Sequence, residues 1–427
     1  MSKNSFINLT LRLLTWVAQW LLAATFLFSG FAKALDPMGM EHKLEAYCAA
    51  WGIPIMAGSL YLDVAAILLA LVEFSLGVYL LLGIRQRLAS IGTLLFMVFM
   101  TLVTVYIYLY NPVTDCGCFG DALILTNGQT LAKNIVLLAC ALLLVWQRKR
   151  SLRIISEHNQ WILSLYSMLY MLGVSVYSLH YQPLMDFTGF ELGTDINEAM
   201  RGEFSTTFTY EKNGEKRTFG LENLPDSTWK YVDAQTEVLK ESSIKEFSIT
   251  SRNGDDLSED ILADTSYVFI ATLPKISMAD AGCSDALNDI YDFSNDHHHR
   301  FLCATTGTDA EITGWIDRTG ASYPFVKASS ELLKEIVRSN PGLVLLKKGR
   351  ILAKWGRNDM PDEKELTQIT ASSDDEQRHR RNHSFGLLFL WFVIPCGVVF
   401  LLDRLWMGRR FYKIYHHYKS QKNNVPQ

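Results

Sequence analysis

The chain has 427 residues, of which 49% are hydrophobic and only 20% are charged, and its formal net charge is -4. A soluble chain of this length carries more charge, so much of this one must contact a lipid bilayer. The small net charge gives no reason to expect a nucleic acid partner.

Six apolar runs approach the roughly 20 residues that a helix needs to cross a bilayer. They cover residues 11–34, 60–82, 88–110, 131–146, 161–181 and 385–402. The first run is too long for a signal peptide and lacks a small-residue cleavage site, so we expect it to stay as an anchor. The sequence therefore predicts six transmembrane helices.

Basic residues predict which side of the membrane each loop occupies. Arginine and lysine follow the second and fourth runs, and they fill the tail 404–427. Because short basic loops stay in the cytoplasm, we expect both termini there and the protein in a bacterial inner membrane. The loop after the third run and the long segment after the fifth are then periplasmic.

Two ionisable residues of the apolar runs, Lys33 and Glu73, are candidate functional residues. Lys33 ends the first run, where its amine is expected to reach the interface or to pair with Asp63. Glu73 is predicted roughly 15 Å deeper, where a carboxylate is costly and usually faces the bundle interior. The sequence shows no cation at that depth. Glu73 is either protonated and bonded to a neighbouring helix or, with Lys33, lines a quinone or proton path.

The most informative stretch is Asp115-Cys-Gly-Cys-Phe-Gly-Asp121, between the third and fourth runs. Two thiols separated by one glycine could converge or could face a third partner. The motif indicates a redox pair, Cys116 and Cys118, with two flanking carboxylates that would raise the thiol pKa.

Alternatives to a redox pair remain open at this motif. Cys48 and Cys283 are further external thiols that could pair with it. A static disulfide is therefore one alternative to redox chemistry. A structural metal site is not expected, because zinc takes four ligands and no second Cys or His pair lies in a connecting loop.

Residues 8–150 resemble the DoxX/MauE family of small membrane proteins. Besides the cysteine motif, the resemblance lies in Ser29-Gly-Phe-Ala-Lys33, in Glu73-Phe-Ser-Leu-Gly77 and in Leu82-Gly83. It implies a four-helix membrane bundle linked to thiol or quinone redox chemistry and, in methylamine utilisation, to maturation of a disulfide-rich periplasmic enzyme. The implied cofactor is a membrane quinone, and the implied partner is a periplasmic client protein with thiols.

The chain becomes polar after a fifth transmembrane helix at 160–182. Residues 186–240 are predicted to form a small β-rich preface with a hairpin around Asn213-Gly214. Strands then alternate with helices over 241–375 and end in a hairpin, which predicts a compact α/β unit. A sixth transmembrane helix at 384–403 precedes the basic tail.

Residues 240–370 resemble a thioredoxin-like domain of membrane-anchored envelope thiol proteins. Pro341 stands where that family carries its cis-proline, and Leu346-Lys-Lys-Gly349 resembles the turn that follows. The family places Cys-x-x-Cys after the strand that begins at Tyr267, but this chain has only Cys283 there. We therefore do not expect dithiol exchange by this domain alone.

The predicted fold class is a membrane all-α bundle, with four core spans plus two further spans, carrying an external α/β thioredoxin-like domain. Our first hypothesis is an envelope protein that passes electrons between the Cys116/Cys118 pair at the periplasmic membrane face and a quinone or client protein. The alternative is a non-enzymatic assembly or maturation factor with a static disulfide and a thioredoxin-like binding domain.

Overall fold

The computed structural model describes residues 3–55, 58–113, 116–212, 215–220, 223–226, 228–240, 242–371 and 382–423. These residues form two compact units. The membrane unit is drawn from Met1–Phe187 and His379–Gln427, and the α/β unit from Thr188–Arg378.

Six helices in the described residues are long and apolar enough to cross a membrane, which confirms the predicted number of spans. In chain order, the membrane unit contains α1 (Lys3–Leu35), α2 (Pro37–Ala50), α3 (Leu60–Leu82), α4 (Gln86–Tyr110), the short strand β1 (Cys118–Asp121), α5 (Asn127–Trp146), α6 (Gln160–His180) and a C-terminal helix (Asn382–Asn423). The apolar run of α5 was the shortest. The helix nevertheless reaches 20 residues, because Thr126 and Gln129 form a capping box at its start.

Helix α2 was not predicted from the sequence. Asp36 accepts a hydrogen bond from the Gly39 backbone N–H at 2.8 Å, and Pro37 occupies the first helical position. Both residue types favour a helix start at these positions. The Asp-Pro pair therefore ends α1 and begins α2, which packs on the ends of α1 and α3 with Met40 and Tyr47 buried.

Two glycines set the close packing of α1 on α3. A Cβ on Gly77 would lie 2.7 Å from the Leu27 backbone nitrogen, and a Cβ on Gly30 would meet the Phe74 backbone. Small residues let two membrane helices approach until their backbones touch. Because of this contact, the α1 side chains within one helical turn of Gly30 pack against the side chains of α3.

The α/β unit contains two sheets. The smaller one has the order β3-β2-β4, formed by β2 (Glu203–Lys212), β3 (Glu215–Gly220) and β4 (Lys230–Lys240), all antiparallel. The predicted turn residues Asn213 and Gly214 lie outside the described residues, but β2 and β3 on either side of them pair antiparallel.

The larger sheet has the order β10-β9-β6-β7-β8-β5. Its strands are β5 (Ile249–Thr250), β6 (Tyr267–Leu273), β7 (Arg300–Thr305), β8 (Phe325–Ala328), β9 (Gly342–Lys347) and β10 (Arg350–Gly356). The helices of the α/β unit are α7 (Ile196–Met200), which precedes the smaller sheet in the chain, and α8 (Ser258–Ala263), α9 (Ser284–Asp296), α10 (Asp309–Thr319), α11 (Ser330–Ile336) and α12 (Glu363–Ala371). Strands β6, β7 and β8 are parallel, whereas β9 and β10 form an antiparallel hairpin.

Hydrophobic side chains cover both faces of this sheet. The central strand β6 is buried along its whole length, as expected for a strand between two layers of helices. Phe190 and Ile196, from the segment assigned to the β-rich preface, pack in one of the two cores. The parallel β6-α9-β7 unit, the final antiparallel hairpin and the cis Asn340–Pro341 bond before it make this unit thioredoxin-like, so the predicted fold class is confirmed.

Candidate functional site

The sulfur atoms of Cys116 and Cys118 face each other across 2.9 Å in the cysteine loop, residues 116–126 between α4 and α5. Both are free thiols. Gly117 between them has a φ of +63°, a left-handed conformation that favours glycine, and a Cβ there would meet the side chain of Lys43. Glycine therefore allows the fold-back that makes the thiols converge.

The backbone of this pair is held from two helices. The carbonyl of Cys116 accepts a hydrogen bond from the Tyr47 hydroxyl at 2.9 Å. The carbonyl of Cys118 accepts one from the Lys33 amine at 2.5 Å and another from the Ser29 hydroxyl. Both carbonyls are therefore anchored by hydrogen bonds from side chains of α1 and α2.

Beneath Cys118 lies a buried polar cluster, defined as Ser29, Lys33 and Glu73. The amine of Lys33 lies 2.6 Å from the Glu73 carboxylate and 2.7 Å from the Ser29 hydroxyl. The Ser29 hydroxyl oxygen also lies 2.6 Å from the Glu73 carboxylate, so its one proton is shared between this carboxylate and the Cys118 carbonyl. Lys33 is 1% exposed and Glu73 3% exposed, so this is an ion pair almost fully removed from solvent.

The cluster corrects two expectations from the sequence. Lys33 does not reach an interface, and Glu73 does have a cationic partner. The physical reason is that α2 and the cysteine loop cover the end of α1, so Lys33 lies inside the unit, while Asp63 interacts with Glu41 instead. A buried charge is retained in such a position when it is paired and hydrogen-bonded.

Charges around the loop favour a thiolate at Cys118. The carboxylate of Asp121 lies 3.0 Å from the Lys43 amine, which offsets its charge. The Lys133 amine lies 4.0 Å from the centre of the Phe119 ring, above the loop. The predicted flanking residue Asp115 lies outside the described residues.

The two thiols have unequal acidity. A hydrogen bond from Cys116 and the positive charges of Lys133 and Lys33 outweigh burial and lower the pKa of Cys118. The same sulfur–sulfur contact, together with burial, raises the pKa of Cys116. Cys118 is also the more exposed of the two, since Cys116 is buried. Cys118 is therefore suited to attack, and Cys116 to resolve.

A cavity of about 30 Å³ lies beside Cys118 and is also lined by Ser29, Glu73, Lys133 and Asn134. This volume has room for about one or two water molecules. It does not fit the ring of a quinone, so the quinone stays a prediction.

Residues 11–147 match the family described as Methylamine utilisation protein MauE. The N-terminal bundle is MauE-like. This confirms the resemblance drawn from the sequence for that region. Residues 204–241, which include the three-stranded sheet, match a family described as a domain of unknown function, DUF8463. No curated protein matches the chain.

Several solved structures resemble the α/β unit. A proposed thioredoxin from Neisseria meningitidis is 21% identical, with 32% of this chain and 95% of that one covered and a TM-score of 0.25. The C-terminal domain of a proposed thiol-disulfide oxidoreductase from Bacteroides thetaiotaomicron is 20% identical, with 30% and 92% covered and a TM-score of 0.24. A secreted disulfide oxidoreductase from Mycobacterium tuberculosis is 10% identical, with 32% and 93% covered and a TM-score of 0.21. The fold assignment accordingly rests on the strand order above.

The other predicted site residues are Cys48 in the membrane unit and Cys283 and Pro341 in the α/β unit. Cys48 on α2 is a half-buried free thiol without a disulfide. In the α/β unit, Cys283 directly precedes α9 and is buried, with its sulfur 3.4 Å from the Asp280 carbonyl oxygen. Burial and the nearby Asp280 raise its pKa to about 11. The Asp280 backbone N–H donates to Asn340, the residue before Pro341, so Cys283 lies close to the cis-proline turn.

Sequence reasoning missed four residues that build the site. They are Ser29, Lys43, Tyr47 and Lys133. Ser29 precedes Lys33 by four residues, so its position on the same helix face could have been read from the spacing. The other three depend on how α2 and α5 meet the loop, which the local sequence does not contain.

Proposed function

We propose that this protein is a membrane thiol-redox protein whose reactive centre is the Cys116/Cys118 pair. One observation carries the proposal: two free thiols 2.9 Å apart, of which the more exposed has the lowered pKa. An acidic attacking thiol beside a resolving thiol is what exchange with another disulfide requires.

Thiol–disulfide exchange between the cysteine pair and a client disulfide needs no further reactant. The Cys118 thiolate attacks one sulfur of a client disulfide, a mixed disulfide forms, and the other client sulfur leaves as a thiolate that takes up a proton. Cys116 then loses its proton and attacks Cys118, which closes the Cys116–Cys118 bond and releases the second client thiol. The client gains two electrons and two protons. The reverse sequence oxidises a client dithiol.

The buried polar cluster acts as a set of positioning residues in this scheme. Lys33 and Ser29 fix the Cys118 carbonyl, so the sulfur moves about a backbone that stays in place. The Lys33 charge also favours the Cys118 thiolate. Glu73 keeps Lys33 paired and therefore stable in a buried position.

The basic loops support a bacterial inner membrane location with cytoplasmic termini and the cysteine pair at the periplasmic face. In that arrangement a periplasmic thiol protein is the client, and the α/β unit binds it or presents it. Dependence of the pair on a membrane quinone is a separate prediction, which the experiment below tests by withdrawing the quinone.

The test is the thiol state of the pair in intact cells, measured by alkylation and mass spectrometry with and without respiratory quinone. We expect the pair to shift between dithiol and disulfide, while Cys303, which is fully buried with a pKa well above that of an ordinary thiol, stays reduced as the internal control. One linkage that persists under all conditions would contradict the redox function.

A second candidate is a non-enzymatic assembly factor, favoured because Cys283 of the α/β unit is buried and has no cysteine three positions before or after it. In that case the unit is a binding module and the cysteine pair forms a static disulfide. Cys116→Ser and Cys118→Ser variants separate the two candidates. Loss of client exchange at a normal protein level supports redox chemistry, whereas loss of the protein itself supports a structural bridge.

A further inference from the structure

The end of the bundle opposite the cysteine loop contains a cleft of about 420 Å³. Four arginines line it, Arg85 and Arg87 from the α3–α4 turn and Arg148 and Arg153 from the α5–α6 connection. We call it the arginine cleft. Glu157 is the carboxylate among its lining residues.

Hydrogen bonds hold the two walls of the arginine cleft together. Gln86 donates to the Leu152 carbonyl at 2.7 Å and accepts from the Arg153 side chain at 2.9 Å. The backbone N–H of Arg85 donates to the Gln160 side chain at 3.0 Å. The concave shape is therefore built by contacts between the loops and does not depend on the arginine heads meeting each other.

The cleft carries a large uncompensated positive charge. Glu157 lies 3.7 Å from Arg153, and both side chains are mostly exposed. Within the part of the chain that the structure describes, no ion pair or side-chain hydrogen bond joins Arg85, Arg87 or Arg148 to a protein acceptor. The positive end of the α4 dipole adds to this field, since α4 starts at Gln86 beside the cleft.

Apolar surface continues from the cleft along α4. Leu88 lines the cleft and is 64% exposed. Leu95 and Leu102 follow it at seven-residue spacing, each 65% exposed, so they lie along one face of the helix. A ligand with an anionic head and apolar chains fits both the arginines and this stripe.

We propose that the arginine cleft binds one phosphate group, and that this group belongs to an anionic phospholipid of the surrounding leaflet. Guanidinium groups bind phosphate oxygens through paired, charge-assisted hydrogen bonds. Basic pockets between membrane helices are suited to anionic lipid heads. This site is independent of the thiol chemistry proposed above.

The experiment uses the full chain in detergent micelles, with native mass spectrometry after addition of phosphatidylglycerol, phosphatidylcholine or inorganic phosphate. We expect one phosphatidylglycerol to be retained more strongly than phosphatidylcholine. Arg148→Gln and Arg87→Gln should each weaken that binding about fivefold. Arg87 takes no part in the described hydrogen bonds between the two walls, so its variant keeps the cleft intact.

Lys149→Gln is the matched control, because Lys149 is exposed, lies next to Arg148 and does not line the cleft. It removes the same charge and should change binding by less than about twofold. An effect of Lys149→Gln equal to that of Arg148→Gln, or no preference for phosphatidylglycerol, would overturn the proposal. Binding of inorganic phosphate alone, weakened by the same arginine variants, keeps the phosphate site and overturns the lipid as its source.

Discussion

Cys118 in the cysteine loop of the membrane unit and Cys283 in the thioredoxin-like unit are both free thiols, yet the two differ in acidity. Cys118 faces a second thiol and two lysines, which lower its pKa, whereas burial and Asp280 raise the pKa of Cys283 to about 11. A thioredoxin-like fold supplies a position for redox chemistry but not the chemistry itself. In this chain the arrangement suited to exchange lies in the loop of the bundle.

Removal of either reactive thiol should have the largest effect. Cys118→Ser takes away the attacking sulfur, so we expect exchange with a client disulfide to fall to the uncatalysed level. Cys283→Ser is the matched control in the other unit and should leave the rate unchanged. The rate is measured with a fluorescent disulfide peptide on the purified full chain. Equal loss in both variants would show that the α/β unit takes part in the chemistry.

Breaking the buried ion pair should have the next largest effect, on the stability of the membrane unit. Lys33→Met leaves the Glu73 carboxylate buried without a cation, so we expect a loss of about 3–5 kcal/mol in the free energy of unfolding in micelles. Lys43→Met is the control, because its pair with Asp121 is partly exposed and should contribute only about 1 kcal/mol or less.

The double variant Lys33→Met/Glu73→Leu sharpens this test of the ion pair. It removes both charges and should recover part of the lost stability. Equal destabilisation by Lys33→Met and Lys43→Met would mean that burial of the pair contributes nothing.

Alkylation at increasing pH compares the two cysteines directly. Only the thiolate reacts, so each rate rises with pH until the pKa of that thiol is reached. The alkylation rate of Cys118 should level off at a pH below the pKa of an ordinary thiol, whereas the rate of Cys283 should keep rising towards pH 11. At neutral pH we expect Cys118 to react more than about 100-fold faster, as followed by mass spectrometry of peptides. Similar profiles would show that the loop does not acidify its thiol.

A smaller effect is expected from the close contact of α1 and α3. Gly30→Ala places a methyl group against the Phe74 backbone and should destabilise the bundle by about 2 kcal/mol in thermal unfolding. Gly173→Ala in α6 is the control, since a Cβ there meets nothing within 4 Å. It should be neutral or slightly stabilising. An equal loss of stability in both variants would show that the close contact between α1 and α3 is not the cause.

The elements that follow from local pattern could be predicted from the sequence, and those that depend on a neighbour could not. Apolar runs gave the six spans, and the alternation of strands and helices over 241–375 gave a compact α/β unit that ends in a hairpin, as the structure has it. Strand β8 has only four residues and gains its structure by pairing with β7, so its own sequence carries little strand signal. Helix α2 was missed although Asp36 and Pro37 are a recognisable start, because its own sequence is only weakly amphipathic.

In the candidate site, too, the local features could be predicted from the sequence and those that depend on a neighbouring element could not. The Cys-Gly-Cys motif identified the reactive pair, since the spacing and the glycine are both local. The ion pair between Lys33 and Glu73 was not found, because a depth counted along a single helix ignores the layer that α2 and the loop place over Lys33. Tyr47, which anchors the Cys116 carbonyl, comes from α2, and Lys133, which lowers the pKa of Cys118, comes from α5; only the fold brings them to the loop.

The burial of Lys33 gives the molecule a natural reporter of loop opening. Its amine is covered by the Cys118 carbonyl, the Ser29 hydroxyl and the Glu73 carboxylate and is 1% exposed. An amine-directed acylating reagent can therefore reach Lys33 only when the cysteine loop lifts away from α1. The extent of acylation at this lysine measures how often the layer over the ion pair opens, without any label added to the loop.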